Sequence, residues 1–239
     1  MNMIKYLAFT CFLLTISITG KTQTAVNDLL ESGKKKHEKG APEAAIKDYS
    51  KAIELDGKNA DAYYFRGNSY FALEKYNEAA EDFSTALKLK PDYKDALFNR
   101  ANSWYELGKF TSAIDDLTRL IKEDPESADA FFTRGNCYYK TGEYKQALND
   151  FTKGLELNAS DPDGYYDRAN TYYNLGMFDA AVSDYTKAIS LQDETFDFYF
   201  NRALAYFSLE MNDKACKDLQ KASELGDDQA KEYAKELCK

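Results

Sequence analysis

The 239-residue chain has one histidine, one tryptophan and four prolines. A single His excludes a histidine-rich metal site and most histidine-dependent catalysis. Ser–His–Asp or Cys–His chemistry would have to be built on His37, which sits in a polar stretch with no nucleophile motif nearby. Positive charge is in deficit: 31 Lys and Arg face 40 Asp and Glu, a formal net charge of −9. That balance argues against a nucleic-acid binder, which needs a basic face for phosphate. No apolar run approaches the roughly 20 residues that span a bilayer. What is plentiful is aromatic and charged: 15% aromatic, 30% charged and 44% hydrophobic residues, the composition of a soluble folded chain.

Residues 1–20 differ from the rest. Lys5 precedes an uncharged, mostly apolar stretch from Tyr6 to Ile18, followed by Thr19 and Gly20. Basic, apolar, then small is the order of a secretory signal. A buried N-terminal helix is the competing reading, but such a helix should be amphipathic, and this one is apolar all round. Cys11 lacks the Leu–small–small context of a lipoprotein signal. Cleavage is expected after Gly20. Residues 21–25 then form a short linker, and loss of Lys5 takes the net charge from −9 to −9 − 1 = −10.

The remainder is one unit repeated. DAYYFRGNSY begins at Asp61, and related strings begin at Asp95, Asp129, Asp163 and Asp197, each 34 residues after the last. A second string, AAEDFSTALKL at Ala79, has the same period. Six units follow without insertion: 26–59, 60–93, 94–127, 128–161, 162–195 and 196–229, with 230–239 as a final capping helix. Each unit reads as two helices. Tyr63, Gly67 and Tyr70 fall at i, i+4 and i+7 in the first; Ala79, Phe83 and Ala86 do so in the second. Gly40, Gly108, Gly142 and Gly176 share a column between the helices, where a left-handed turn ends the first. Glu74 and Glu210 replace glycine there, which predicts strain. Pro91 and Pro125 close second helices. Lys36, His37 and Ser32 depart from the later units and mark the first unit as a polar cap.

Large–small–aromatic in the first helix, Ala–aromatic–Ala in the second and proline at the boundary together resemble the tetratricopeptide repeat. The resemblance covers residues 26–229. It implies an all-α fold: a right-handed superhelical solenoid of antiparallel helix pairs. It also implies a concave groove that binds peptides, lined by Tyr64, Asn68, Phe71; Phe98, Asn102, Tyr105; Phe132, Asn136, Tyr139; and Tyr166, Asn170, Tyr173. Asn amides both donate and accept, and aromatics offer apolar area with a polar edge. The opposing reading is that these residues are generic to the repeat and bind nothing. Asp61, Asp95, Asp129, Asp163 and Asp197 are expected to cap or complement helix N-termini. If they also face the groove, a neutral to basic segment is favoured over an acidic tail.

Two ladders repeat with the units: Arg66, Arg100, Arg134, Arg168 and Arg202, and Asp48, Asp82, Asp116, Asp150, Asp184 and Asp218. An anion-binding Arg stripe is one reading. A structural ion-pair ladder is the expectation, because near-buried charges need partners. The first unit has an Asp and no Arg, which favours pairing between units: 48–66, 82–100, 116–134, 150–168 and 184–202. Cys137 reads as a small buried hydrophobe. Cys216 and Cys238 are a candidate disulfide across two antiparallel helices, against the alternative of two unrelated thiols. Asp161-Pro162-Asp163-Gly164 lacks the distal Glu of a calcium loop and reads as a linker. Asn158-Ala159-Ser160 is a glycosylation sequon, meaningful only in a eukaryotic secretory pathway.

No catalytic constellation, metal site or cofactor motif is present in the sequence. The expectation is an exported, non-catalytic scaffold binding a protein or peptide segment, in a bacterium periplasmic or secreted, in envelope assembly or secretion. The alternative is a structural subunit acting through its convex or end surfaces; an enzyme's regulatory arm is the weakest reading. Mass spectrometry of the native protein should find an N-terminus near Lys21. Intact Met1 on a soluble cytoplasmic protein would contradict export.

Overall fold

The computed structural model describes the backbone of residues 3–238 and the side chains of residues 21–238. The side chains of the expected signal segment, 1–20, lie outside the described residues. All regular elements among the described residues are helices: α1 (Met3–Glu38), α2 (Pro42–Leu55), α3 (Ala60–Ala72), α4 (Tyr76–Leu89), α5 (Lys94–Glu106), α6 (Phe110–Glu123), α7 (Ala128–Lys140), α8 (Tyr144–Leu157), α9 (Pro162–Asn174), α10 (Phe178–Leu191), α11 (Phe196–Ser208), α12 (Asn212–Glu224) and α13 (Asp228–Leu237). Residues 21–25, expected as a linker, are instead helical within α1. The capping helix starts at Asp228 rather than 230, because Asp227 supplies its N-cap.

The chain divides into two compact units, 1–116 and 117–239, with the division inside α6. In the first unit α1 packs on α2 and α3 on α4, and the pairs stack through α2 on α3 and α4 on α5. In the second, α7 pairs with α8, α9 with α10 and α11 with α12. Stacking there runs through α8 on α9 and α10 on α11, and α13 covers α12.

The pairing follows from size complementarity. Gly67 on α3 faces Phe83 on α4 so closely that a Cβ on Gly67 would lie 2.8 Å from the ring. Ala79, Phe83 and Ala86 are fully buried. A large ring set into a small residue brings two helix backbones together at native packing density. The turn between paired helices repeats as well. At Gly108 the N–H donates to Tyr105 O (2.9 Å), and Lys109 N–H donates to Trp104 O (2.8 Å). Glu74 makes the same two bonds: its N–H reaches Phe71 O and Lys75 N–H reaches Tyr70 O, both at 2.9 Å. Glu74 and Glu210 therefore adopt the left-handed conformation, φ 58° and 60°, that glycine occupies elsewhere.

The first-turn aspartates are not the caps. Asn59 Oδ1 accepts from Ala62 N–H (2.9 Å), Ser127 Oγ from Ala130 N–H (3.3 Å), and Asp161 Oδ1 from Asp163 and Gly164 N–H (3.0 and 3.1 Å). The capping oxygen lies two residues before each aspartate, which leaves Asp61, Asp129 and Asp163 to complement the helix dipole. Asp161-Pro162 is thus a cap followed by proline at the first helical position. At the far end a disulfide joins Cys216 of α12 to Cys238, just past α13, with Cα atoms 5.6 Å apart. It holds α13 down where Tyr233 meets Phe200, ring centroids 5.6 Å apart. Cys137 is buried, and desolvation pushes its thiol up to about 12, so it is inert at neutral pH.

A left-handed conformation is costly for a residue with a Cβ, and glycine removes that cost at some loss of chain entropy. Glu74→Gly and Glu210→Gly should each stabilise the fold by about 0.5–1 kcal/mol. Thermal denaturation checks this; an unchanged or lower melting temperature for both would contradict it.

Candidate functional site

The two ladders meet inside each repeat, not between repeats. Arg66 Nε and Nη2 donate to Asp82 Oδ2 and Oδ1 at 2.7 and 2.8 Å. Arg100 binds Asp116 in the same way (2.8 and 2.7 Å), Arg134 binds Asp150 (2.7 and 2.8 Å), Arg168 binds Asp184 (2.6 and 3.0 Å) and Arg202 binds Asp218 (2.7 and 2.8 Å). The expected pairing between repeats is therefore corrected. The contact between repeats is made by the third nitrogen. Arg66 Nη1 donates to Ser50 Oγ (3.1 Å), Arg100 to Ser84 (3.0 Å), Arg134 to Thr118 (3.0 Å), Arg168 to Thr152 (3.4 Å) and Arg202 to Thr186 (3.0 Å). Each hydroxyl sits two residues after the preceding repeat's Asp.

The first repeat lacks the Arg and substitutes for it. Lys36 Nζ and Ser32 Oγ both donate to Asp48 Oδ2, at 2.5 and 2.6 Å. His37 is half-buried, with Nδ1 2.9 Å from Ser69 Oγ of the next repeat. Four of the guanidiniums, those of Arg66, Arg134, Arg168 and Arg202, are flanked by aromatics one turn either side: Arg66 lies 5.6 and 5.8 Å from the Tyr63 and Tyr70 centroids, and Arg202 lies at the same distances from Tyr199 and Tyr206. The Asp82 and Asp150 bonds push the Arg66 and Arg134 guanidiniums above their usual range. In all five forks every nitrogen is thus engaged within the protein and the charge is met by an aspartate, which argues against an anion-binding Arg stripe.

The predicted groove residues occupy the other face of the first helices. In the first unit, Tyr64, Asn68 and Phe71 on α3 and Phe98, Asn102 and Tyr105 on α5 are all half-buried. Tyr64 sits 4.7 Å from Tyr93 between ring centroids. Asn99 Nδ2 donates to Asn68 Oδ1 (2.8 Å) and to Tyr64 Oη (3.4 Å). Phe71 packs on Tyr76 and Tyr105 on Phe110, each edge to face.

In the second unit, Asn136 and Tyr139 on α7 and Tyr166, Asn170 and Tyr173 on α9 are half-buried. Phe132 is not a lining residue: it is only 9% exposed. Its ring fills space left by two glycines, where a Cβ on Gly154 or Gly164 would lie 2.5 or 2.7 Å from its Cε1. Asn174 Nδ2 donates to Tyr139 Oη (2.9 Å), Asn201 Nδ2 to Tyr166 Oη (2.8 Å), and Tyr185 Oη to Asn170 Oδ1 (2.6 Å). Burial raises the Tyr139 and Tyr166 phenols, which stay protonated and remain donors. Burial pushes the Asp167 carboxyl up to about 6, with Asn136 and Lys140 opposing the rise and Asp163 and Asp161 adding to it. Asn68 and Asn170 are thus engaged by neighbours, while Asn102 has no hydrogen-bond partner of its side chain among the described residues.

One column escaped the sequence reading: Phe65, Asn99, Thr133, Asp167 and Asn201, the residues next to the first groove column. Asn99 and Asn201 hold the tyrosines, and the column carries carboxylates at Asp167 and, in the first repeat, Glu31. The 34-residue spacing alone would have revealed it.

Stacked antiparallel helix pairs with a polar–aromatic first-helix face define a helical repeat protein. Family models described as tetratricopeptide repeat and TPR repeat match residues 33–73, 60–93, 105–149, 135–176, 162–194 and 196–225. The chain belongs to the tetratricopeptide repeat family. No curated protein matches it. Among solved structures, PilF of Pseudomonas aeruginosa aligns with a TM-score of 0.75 at 20% identity, over 90% of this chain and 99% of that one. YrrB, described as a TPR protein with an unusual peptide-binding site, gives 0.68 at 24% identity over 79% and 98% of the two chains. MamA gives 0.67 at 25% identity over 73% and 96%.

Removing one partner of a buried pair leaves the other charge without compensation. Arg134→Ala should destabilise by about 3 kcal/mol or more on that ground. The measurement is a denaturant titration of the purified protein; a loss below about 0.5 kcal/mol, typical of an exposed pair, would contradict a structural role.

Proposed function

We propose that the chain is an exported, non-catalytic scaffold that holds a protein or peptide segment on the first-helix face of its repeats. Envelope assembly or secretion is the setting we propose for it. The observation that carries the reading is that amide and phenol groups of the first helices are held fixed within each unit. Tyr64, Tyr139 and Tyr166 each accept from an Asn of the following repeat, so their rings are held in place before any ligand arrives. Such preorganisation lowers the ordering cost of binding. The peptide-binding description of YrrB supports the same use of the fold. The order of Lys5, the apolar run and Gly20 supports export. The acidic balance, −10 after removal of the signal (−9 − 1), supports a neutral to basic segment as partner.

A second reading rests on Leu55, Leu89, Leu157 and Leu191. These end their second helices 37–49% exposed and recur in one column. They would serve a subunit that acts through its outer edges within a complex. Affinity capture from envelope extract separates the two. Asn102→Ala with Tyr105→Ala should strip off the partner retained by the wild-type chain, each lost hydrogen bond costing on the order of 1 kcal/mol. Retention by that variant together with loss on Leu157→Ala and Leu191→Ala would overturn the groove reading.

A further inference from the structure

We propose that the cleft beside the Cys216–Cys238 disulfide is a modification site: it takes a small anionic thiol, which exchanges into the disulfide and remains as a mixed disulfide on Cys238. The cleft is built from α12, α13 and the residue after α13. It uses no first-helix residue, so it stands apart from the reading that those helices hold a segment.

The cleft measures about 580 Å³ and opens to solvent, the size of a site for a small molecule rather than for a protein. Both cysteines line it, with Lys217 of α12 and Lys231 and Lys235 of α13. Three lysines face one carboxylate there, Glu224, which accepts from Gln220 Nε2 (3.2 Å). Lys235 is paired with Glu232 (2.7 Å), but the ammonium groups of Lys217 and Lys231 have no ion pair or hydrogen bond among the described residues. The walls are therefore cationic on a chain whose net charge is −9, and they attract a ligand that carries carboxylates. The sulfur pair is within its reach: both cysteines are half-buried, whereas Cys137 is fully buried.

The two sulfurs are not equivalent. Cys216 is the fifth residue of α12, near the positive end of the helix dipole and next to Lys217. Cys238 caps the C-terminus of α13, where its N–H donates to Ala234 O (3.0 Å) and the dipole disfavours negative charge. Cys216 is thus the better leaving thiolate. The incoming thiolate attacks Cys238 Sγ, a new S–S bond forms, and the Cys216–Cys238 bond breaks with its electron pair going to Cys216 Sγ. Cys216 then takes up a proton from water, which balances the one the small thiol gave up on ionising. One disulfide replaces another, so no oxidant or reductant beyond the thiol is consumed. The exchange also frees α13, whose one buried residue is Ala230 and whose end the disulfide ties down.

The test compares glutathione, which carries two carboxylates, with its diethyl ester, which carries none. Each rate of disulfide opening on the full chain is divided by the rate of the same thiol on a linear peptide with an exposed disulfide. On that scale glutathione should react at least about fivefold faster than the ester. Salt at about 1 M should remove the difference by screening, and so should Lys217→Gln with Lys231→Gln. Alkylation at early times followed by peptide mapping should place glutathione on Cys238 and the alkyl group on Cys216. Amide hydrogen exchange should accelerate across α13 in the modified chain. If the double variant does not fold, the salt dependence of the unsubstituted chain decides. Equal normalised rates for the two thiols would overturn the site, as would a difference that survives both salt and the lysine substitutions. Glutathione found on Cys216 instead would overturn the assigned direction of exchange.

Discussion

The guanidinium fork is the interaction on which the rest of each unit depends. Two of its nitrogens grip the carboxylate of the second helix in the same repeat, and the third reaches a hydroxyl of the repeat before. One planar group thereby sets the register of a helix pair and the stacking of one pair on the next, a role suited to the fixed geometry of Arg and not to Lys. The Arg also fixes what the first helix shows elsewhere. Asn68 is two residues from Arg66, roughly 200° around the helix, so anchoring Arg66 against α4 turns Tyr64, Asn68 and Phe71 toward the other face. At Arg66, Arg134, Arg168 and Arg202 the aromatic residues three before and four after cover the guanidinium instead of lining that face.

Much of this was legible in the sequence because 34-residue periodicity converts each packing requirement into a column. Helix ends, the glycine turn and the two odd glutamates were all visible in that way. The pairing sense was not. Asp48 lies 18 residues before Arg66 and Asp82 lies 16 after, so spacing along the chain does not choose between them. The first repeat's missing Arg pointed the wrong way, because Lys36 and Ser32 take over its bonds to Asp48. Phe132 looked equivalent to Phe98, and the difference lay in distant residues. Gly154 stands where four sister repeats have Ala and Gly164 where three do, and together they open the space into which the ring turns. The caps were displaced by two residues because aspartate in a first turn and aspartate at a cap have similar local patterns.

The burial of charge is managed differently on the two faces. On the Arg side every ladder carboxylate is matched by a cation held within the protein. On the Asn–Tyr side the groups are mostly neutral, joined by single hydrogen bonds between successive repeats, with Asp167 as the exception. The first arrangement gives stability and register. The second presents donors and acceptors at fixed positions.

The central structural claim, that each Arg is bound to the Asp of its own repeat, is tested most directly by paired double-mutant cycles on Arg168. The cycle of Arg168→Ala with Asp184→Ala should give a coupling of about 1–3 kcal/mol. The cycle with Asp150→Ala, the aspartate of the preceding repeat, should give less than about 0.5 kcal/mol. A larger coupling to Asp150 than to Asp184 would contradict the account.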